Sequence, residues 1–456
     1  MKKFDLIVVG AGPGGYVAAI RAAQRGLKVA CVEKHALGGT CLNVGCIPSK
    51  ALLHSTEYYD KILSEGKEHG IEIQGLKINL ETMMKRKEKI VANLIHGIHF
   101  LFKKYQVDQL IGKASLLSPN SLSVNGQSYS SQHILLATGS EPIPMDSLPF
   151  DQRHIFSSTD LLSFSHIPKK LLIVGGGIIG LELGSIYQRM GTEIEVVELF
   201  DRLTPFFDYE ISEILLKMFS KRGMVFHFKE KVIRGNIEGN TVELLLESNK
   251  RLKGEGVLFA IGRRPYTKGL GLEKVGIQTD PKGRIPVDGS FRTSIPTIYA
   301  IGDLINGPML AHKASEEGMA VVDLICGDKV KIDYMTIPNI MYTWPEVASV
   351  GMTEEAARQS GLSLRIGKIP FQMIPRARCS GDTEGIVKLI GEKKNDRLIG
   401  MQIMGPNASE MIHEGVIAIK KEMTLLEIAR ISHAHPTCSE AIKEAAMLAH
   451  HQAIHL

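Results

Sequence analysis

No stretch of like charge in this sequence runs to five or six residues, and the net charge over 456 residues is only +5. A nucleic-acid partner is therefore not expected. The densest basic stretch, Lys85-Arg86-Lys87-Glu88-Lys89, falls in a helical-looking segment with apolar residues interleaved, and it reads as a solvated helix face. No apolar run reaches the ~18 residues that a membrane span needs. No Cys-x-x-Cys occurs among the six cysteines at positions 31, 41, 46, 326, 379 and 438. A four-ligand zinc site thus has little support, and no metal is expected.

What is present is the composition of an ordinary globular protein, 44% apolar and 23% charged. A chain of this length is expected to form two to four domains, each burying its own core. The basic start Met1-Lys2-Lys3 invites comparison with a signal peptide. The apolar run Phe4–Val9 leads into Gly10-Ala11-Gly12-Pro13-Gly14-Gly15, however, which is turn chemistry and not a cleavage site. The expected location is cytoplasmic, where structural disulfides are rare. Only Cys41 and Cys46 lie close together.

A unit of the chain is repeated. Residues 4 to 33 read as strand, glycine loop, helix, strand and acid, and residues 171 to 198 read the same way. The interval from first glycine to terminal acid, Gly10 to Glu33 and Gly175 to Glu198, is 23 residues in both. Gly26 and Gly191 stop the two helices. Continuous apolar strands around an amphipathic helix predict a parallel sheet covered on both faces, so the fold class is α/β with two doubly wound, Rossmann-like domains. Prolines 142, 144, 149 and 168 mark a junction around 145–170. The segment 291–303 reads as a strand ending in Gly302-Asp303. From about 336 the chain turns to strands and then helices with no glycine fingerprint, which predicts a separate α+β domain.

The glycines have distinct roles. Gly10 and Gly175 permit the tight turn. Gly12 and Gly177 let a pyrophosphate approach the backbone. Gly15 and Gly180 allow the helix to pack closely on the sheet. The helix N-terminus offers free N–H groups and a positive dipole end to the phosphates. Glu33 and Glu198 suit a ribose 2′-hydroxyl and repel a 2′-phosphate, so both sites favour a dinucleotide without one.

Directly after the first unit comes Gly38-Gly39-Thr40-Cys41-Leu42-Asn43-Val44-Gly45-Cys46-Ile47-Pro48-Ser49-Lys50. Glycine and asparagine between the cysteines allow the bend of a short disulfide ring. Pro48 is tolerated in a first helical turn, and a thiolate there would be stabilised by the dipole and by Lys50. Alone, two cysteines five apart read equally as inert buried thiols; behind a dinucleotide fingerprint they read as a redox pair. Near the C-terminus, His433-Ala434-His435-Pro436-Thr437-Cys438-Ser439-Glu440 offers a base and an orienting carboxylate. On the residues alone, a surface histidine cluster is the simpler reading, given His413, His450, His451 and His455 nearby.

Gly39-Thr40-Cys41, Gly45-Cys46-Ile47-Pro48-Ser49-Lys50, the paired fingerprints, Ala300-Ile301-Gly302-Asp303 and His435-Pro436-Thr437 occur in the order found in the pyridine nucleotide–disulphide oxidoreductases, which the whole chain resembles. Gly14-Gly15-Tyr16-Val17-Ala18-Ala19, Gly177-Ile178-Ile179-Gly180-Leu181-Glu182 and Ala311-His312-Lys313-Ala314-Ser315-Glu316-Glu317-Gly318 resemble the branch of that family serving 2-oxo acid dehydrogenase complexes. The resemblance implies FAD-dependent oxidation of protein-bound dihydrolipoamide to lipoamide with reduction of NAD. It implies that Cys41 exchanges with substrate and Cys46 faces the flavin. His435, oriented by Glu440 and supplied by the partner of a homodimer, would take the dithiol's proton. FAD would lie on Gly10, Gly12, Gly15, Glu33, Thr40, Lys50, Gly112, Thr138, Gly139, Ser140 and Asp303, with Met309, Leu310, Ala311 and His312 along the flavin and pyrophosphate. NAD would lie on Gly175, Gly177, Ile178, Ile179, Gly180, Glu182, Glu198, Val232 and Gly262, with Glu182 also paired to Lys50.

The domains implied are 1–145 for FAD, completed by a central 266–335; 146–265 for NAD; and 336–456 for dimerisation. Lipoyl-bearing subunits are the implied partners. Glutathione reductase and mercuric reductase types are the rivals: Glu198 speaks against the NADP of the first, and the tail lacks the extra cysteine pair of the second. Cys438 departs from the family's motif, and no role is assigned to it.

Overall fold

The computed structural model describes residues 2–455. The first sheet has seven strands, 108–111, 29–33, 2–9, 127–136, 121–124 and 114–118 in that order, with 298–300 added alongside 127–136. The strands Lys2–Val9, Val29–Glu33, Asp108–Ile111, Gln127–Leu136 and Ile298–Ala300 run parallel. The last two strands of the order form an antiparallel meander off Gln127–Leu136. Residues 6 to 9 are all buried, as a strand covered on both faces requires. The helix Pro13–Gln24 lies on this sheet and packs against the helix Ala311–Ile325.

The second sheet has five parallel strands in the order 225–228, 193–198, 170–174, 256–259, 155–156. Three antiparallel strands at 232–238, 241–246 and 251–254 form a smaller sheet beside it. Their Val242, Leu244 and Leu252 share one core with Leu172, Val174 and Val197 of the parallel strands. The third large sheet is antiparallel, in the order 339–341, 346–351, 398–405, 386–392, 364–370. It carries helices Ala408–Lys420, Leu425–Arg430 and Glu440–Leu448. The α/β class with two parallel, doubly wound modules is therefore the fold of this chain.

The helix Cys46–Glu65 leaves the first module and packs against the helix Ile178–Arg189 of the second. Its Leu52 and Leu53 share one core with Leu171, Ile173 and Leu181 of the second unit and with Met341 and Val347 of the third sheet. One helix thus ties the cysteine segment to all three layers.

Three expectations need correction. Residues 291–303 are not one strand; only Ile298–Ala300 is. The Asp288 carboxylate accepts the N–H groups of Ser290 and Arg292, closing a turn that places Phe291 at φ 63°, and Pro296 has no N–H for a ladder. The stretch 145–170 is not only a junction, since Ile155–Phe156 is a strand of the second sheet. The basic stretch is not wholly solvated: Lys87 is buried and donates to the Leu162 carbonyl at 2.7 Å, and burial holds its pKa below the ordinary lysine value. Lys85, by contrast, is exposed and paired with Glu81 one turn back. Among the described residues, no helix is long and apolar enough to cross a membrane.

Candidate active site

Cys41 lies in the short helix Gly39–Val44, and Cys46 opens the helix Cys46–Glu65. The two sulfurs are disulfide-bonded with a Cα–Cα separation of 4.7 Å, inside the range disulfides use. The first-turn N–H groups of that helix have no intrahelical partner, and Pro48 has no N–H to satisfy. Any negative charge on Cys46 therefore sits at a positive helix end. The cysteine segment leans on the first glycine loop. A Cβ on Gly39, which is at φ 58°, would fall 2.5 Å from the Gly12 Cα, so only glycine lets the two backbones meet.

Four residues after Cys46, Lys50 pairs with Glu182 of the second unit at 2.7 Å. Glu182 is buried, and its other oxygen accepts the Tyr342 N–H at 2.9 Å. The Tyr342 ring lies 4.7 Å from the Lys50 ammonium, within cation–π range. Each of the three layers contributes one member of this group. Lys50→Met leaves the Glu182 carboxylate buried with a single N–H donor. Truncating a fully buried pair costs about 3–5 kcal/mol. Lys50 keeps 31% of its side chain in water, which lowers the expected loss to about 1–3 kcal/mol. Thermal unfolding of the variant beside the wild type measures it, and an unchanged melting temperature would refute it.

The two units match in their hydrogen bonds as well as their spacing. In the first, Glu33 Oε2 accepts the Ala11 N–H and Oε1 the His35 N–H, both at 2.9 Å. In the second, Glu198 Oε2 accepts the Gly176 N–H at 2.5 Å and Oε1 the Phe200 N–H at 2.9 Å. Each acid is thus fixed by its own glycine loop and retains lone pairs for a ribose hydroxyl. Gly10 and Gly175 are at φ 101° and 110°, where an added Cβ would strike the carbonyls of Ala137 and Ala260. On Gly15 and Gly180 it would strike the carbonyls of Gly10 and Gly175. On Gly177 it would meet nothing within 4 Å, and on Gly12 only the Gly39 Cα at 3.9 Å, an ordinary contact. The backbone is tight where the helix must close on the sheet and open where a pyrophosphate would lie, so both loops fit a dinucleotide.

Several of the other residues expected around the first unit follow the C-terminal ends of its parallel strands. Gly112 donates its N–H to the Glu33 carbonyl at 2.9 Å. The Thr138 hydroxyl donates to the Tyr266 carbonyl, and the Gly139 carbonyl accepts the Tyr266 N–H. The Ser140 hydroxyl donates to Asp303 at 2.5 Å and accepts from Arg263 Nε at 2.7 Å. Met309 and Leu310 lead into the helix that Ala311 opens, with Leu310 as its N-cap. His312 bonds the Pro338 carbonyl through Nε2, and its burial holds its pKa below the ordinary imidazole value. Thr40 is exposed beside Cys41. Around the second unit, Ile178 and Ile179 begin the fingerprint helix. Val232 is buried at the start of its strand, two residues past Glu230, whose N–H binds the Glu198 carbonyl. Gly262 takes φ 124° and accepts the Ile143 N–H through its carbonyl. Arg263 and Tyr342 carry no signal in the sequence. Arg263 follows a glycine but belongs to no fingerprint, and nothing near Tyr342 in sequence marks it as a partner of Glu182.

His435 bonds Glu440 Oε1 through Nδ1 at 2.9 Å, leaving Nε2 free, and 68% of its side chain is exposed. Burial alone would raise the Glu440 pKa, but the Thr437 N–H and the His435 ring hold it below the ordinary carboxylate value. This pair stands on the C-terminal layer, whose helix Glu440–Leu448 packs on Leu425–Arg430 and on two strands of the third sheet. The cysteine helices pack on each other, on Leu80–Lys104 and, through Cys46–Glu65, on Ile178–Arg189. Among the described residues, the hydrogen bond of His435 is to Glu440, and the disulfide joins Cys41 to Cys46. Beside the histidine motif lies a cavity of about 470 Å³ lined by Ile417, Ile428, Ile431, His433 and Ala434. Ile417 and Ile431 are exposed on its rim.

The family model described as pyridine nucleotide-disulphide oxidoreductase matches residues 4–318, and the dimerisation domain of that family matches residues 337–446. The chain is 46% identical to the mitochondrial dihydrolipoyl dehydrogenase of Pisum sativum and 48% identical to the dihydrolipoamide dehydrogenase of Chaetomium thermophilum. Each alignment covers 99% of this chain and 92% of the relative. Among solved structures, LpdA from Mycobacterium tuberculosis has a TM-score of 0.92 at 26% identity, over 98% of this chain and 99% of that one. The HOCl-induced flavoprotein disulfide reductase RclA from Escherichia coli has a TM-score of 0.87 at 26% identity, over 97% and 99%.

Proposed function

The chain belongs to the pyridine nucleotide–disulphide oxidoreductases, and from that membership we propose that it oxidises protein-bound dihydrolipoyl groups to lipoyl groups with FAD and NAD. The observation that carries this reading is the Cys41–Cys46 disulfide, set against the first glycine loop on a helix that packs on the second fingerprint helix. Gly10, Gly12, Gly15 and Glu33, with Asp303 and the start of helix Ala311–Ile325, are the residues we assign to FAD. Gly175 to Glu182, Glu198, Val232 and Gly262 are those we assign to NAD. FAD, when bound, supplies the passage of an electron pair from a thiolate to NAD as hydride.

The protein's own groups handle the dithiol. Glu440 holds His435 through Nδ1, so Nε2 is the atom that takes the proton of the first substrate thiol. The resulting thiolate attacks Cys41 Sγ, the Cys41–Cys46 bond breaks, and Cys46 leaves as a thiolate. The second substrate thiol attacks the substrate sulfur of the mixed disulfide, its proton passes to Cys41 as that sulfur leaves, and the substrate departs as its disulfide. Two electrons then reside on the chain, with Cys46 held as a thiolate by its helix end. Lys50, paired with Glu182 and lying over the Tyr342 ring, places its ammonium four residues along that helix, at the join of the two modules.

We assign residues 1–145 with 266–335 to the FAD module, 146–265 to the NAD module and 336–456 to dimerisation. The strand Ile298–Ala300 joining the first sheet supports the return of 266–335. The proposed assembly is a homodimer in which a second copy supplies His435 to Cys41. The match to the dimerisation domain and the apolar cavity with its exposed isoleucines support this. Lipoyl-bearing subunits of 2-oxo acid dehydrogenase complexes are the proposed partners, and the cytoplasm the proposed compartment. The free thiols Cys31, Cys326, Cys379 and Cys438 suit a reducing environment.

Anaerobic titration of the FAD-loaded protein with dihydrolipoamide, followed by NAD or NADP, tests the reading. Reduction of NAD but not NADP is expected, and failure of the dithiol to reduce the flavin would refute it. Glu198→Gln keeps one acceptor oxygen, for the N–H of either Gly176 or Phe200, gives up the other bond, and removes the charge that repels a 2′-phosphate. The ratio of kcat/KM for NAD over NADP is expected to fall by about tenfold, a difference of ~1.4 kcal/mol. An unchanged ratio would remove Glu198 from the specificity argument.

A further inference from the structure

The loop that follows Glu198 is fastened at both ends, and only one end belongs to the nucleotide module. On its inner side, the Thr204 N–H donates to the Gly176 carbonyl at 3.2 Å, and Phe200 donates to Glu198. A Cβ on Gly176 would come within 2.9 Å of the Leu203 side chain, so the loop rests directly on the second glycine loop. Thr204 is fully buried at φ 42°, a conformation that persists only where the surroundings impose it.

On its outer side the loop is held by the third sheet and by the short helix Glu354–Gln359. Lys388, buried in the strand Ile386–Glu392, places its ammonium 2.8 Å from Asp208 and 2.7 Å from Glu354. Asp208 in turn accepts the Glu354 N–H at 3.1 Å. Glu355 accepts the Tyr209 N–H at 2.6 Å and faces Arg202 at 3.4 Å. Burial alone would lower the Lys388 pKa, but Asp208 and Glu354 raise it above the ordinary lysine value, so the ammonium stays charged. Asp208 and Lys388 are both withdrawn from water and hold their geometry because displacement leaves a buried charge unpaired, while Glu354 joins them from a partly exposed position. A surface pair would not do this.

We propose that Lys388, Glu354 and Glu355 form a brace by which the C-terminal layer positions the Glu198 loop, making Lys388 and Glu355 positioning residues for NAD binding. The proposal rests on the assignment of the second glycine loop to NAD. The brace reaches the nucleotide loop from Glu355 to Tyr209, along the backbone to Phe207, whose N–H donates to the Thr204 carbonyl, then from Thr204 to Gly176 and from Gly176 to Glu198. It touches neither Cys41 nor Cys46, so the dithiol half of the reaction is independent of it.

The test compares the FAD-loaded wild type with Glu355→Ala and Glu355→Gln, by NADH titration and by stopped-flow reduction with dihydrolipoamide in the absence of NAD. Glu355→Ala removes the acceptor for Tyr209 and is expected to weaken NADH binding about tenfold, equivalent to ~1.4 kcal/mol. Glu355→Gln keeps an oxygen for the Tyr209 N–H and is expected to restore most of that affinity. Reduction by the dithiol should be unchanged in both. Lys388→Met is expected to give the same split with a larger loss. If that variant does not fold, the Glu355 pair decides. Equal NADH affinity in wild type and Glu355→Ala overturns the brace, as does an equal fall in both half-reactions. A wild type that shows no saturable NADH binding overturns the nucleotide assignment, and the brace with it.

Discussion

Cys46→Ser is expected to lower NAD reduction by dihydrolipoamide by at least about 10³-fold, as removal of a covalent nucleophile does elsewhere. The reason is stoichiometric. Oxidising a dithiol moves two electrons, and the Cys41–Cys46 bond is the group on this chain that accepts them by breaking. A serine oxygen forms no such bond. Cys41→Ser should lose turnover to the same degree, so rate alone does not distinguish the two sulfurs. Their positions do. Cys46 opens the helix Cys46–Glu65, where the dipole favours a thiolate, while Cys41 lies within the preceding short helix. The FAD-loaded Cys41→Ser protein is therefore expected to show a long-wavelength absorption band from the Cys46 thiolate without any reductant, and Cys46→Ser is expected to lack it. Both variants should still oxidise NADH with an artificial electron acceptor, since neither cysteine belongs to the nucleotide loops. A Cys46→Ser protein that turns over dithiol within tenfold of the wild type would remove the disulfide from the mechanism. A band that persists in Cys46→Ser and vanishes in Cys41→Ser would exchange the two roles.

Legibility in the sequence followed the range of the interaction. The two glycine loops could be read because each position meets a local geometric demand. Gly10 and Gly175 need a positive φ, Gly15 and Gly180 lie against a close carbonyl, and Gly177 borders open space. The acids at Glu33 and Glu198 could be read from spacing, although their bonds to the N–H groups of Ala11 and Gly176 could not. Long-range placements left no mark. Tyr342 reaches Glu182 across 160 positions, and Lys388 reaches Asp208 across 180. Neither belongs to a motif, and each is specified only once three layers are assembled. Lys87 shows the same limit from the other side. A lysine among basic neighbours on a helix looks solvated, yet the carbonyl of Leu162 lies over it. The strand expected over 291–303 failed for a local reason, because Asp288 offers the backbone a turn that competes with the sheet.

The histidine pair was the weakest motif in the sequence, and its geometry makes the sharper demand on the assembly. His435→Ala is expected to lower dihydrolipoamide oxidation by about 10²–10⁴-fold, the range for losing a positioned base. Turnover of NADH with an artificial acceptor should be unaffected, since that reaction has no thiol to deprotonate. Glu440→Gln should be milder, because an amide oxygen still accepts from Nδ1 but no longer stabilises the charged ring. Glu440 also links the site to folding. Its folded pKa lies below the ordinary carboxylate value, so its contribution to stability is present above the unfolded pKa and is lost as pH falls through the folded one. The decisive experiment uses two inactive variants. In the proposed homodimer, the base of each site comes from the second copy. In a mixed dimer of Cys41→Ser with His435→Ala, one site joins an intact disulfide to an intact base, and the other site has neither. Random exchange makes half of the dimers mixed, so mixing the two variants should restore up to about a quarter of wild-type activity. Activity that stays absent after verified subunit exchange would place base and disulfide on the same chain, and the homodimer would no longer be needed to complete the site.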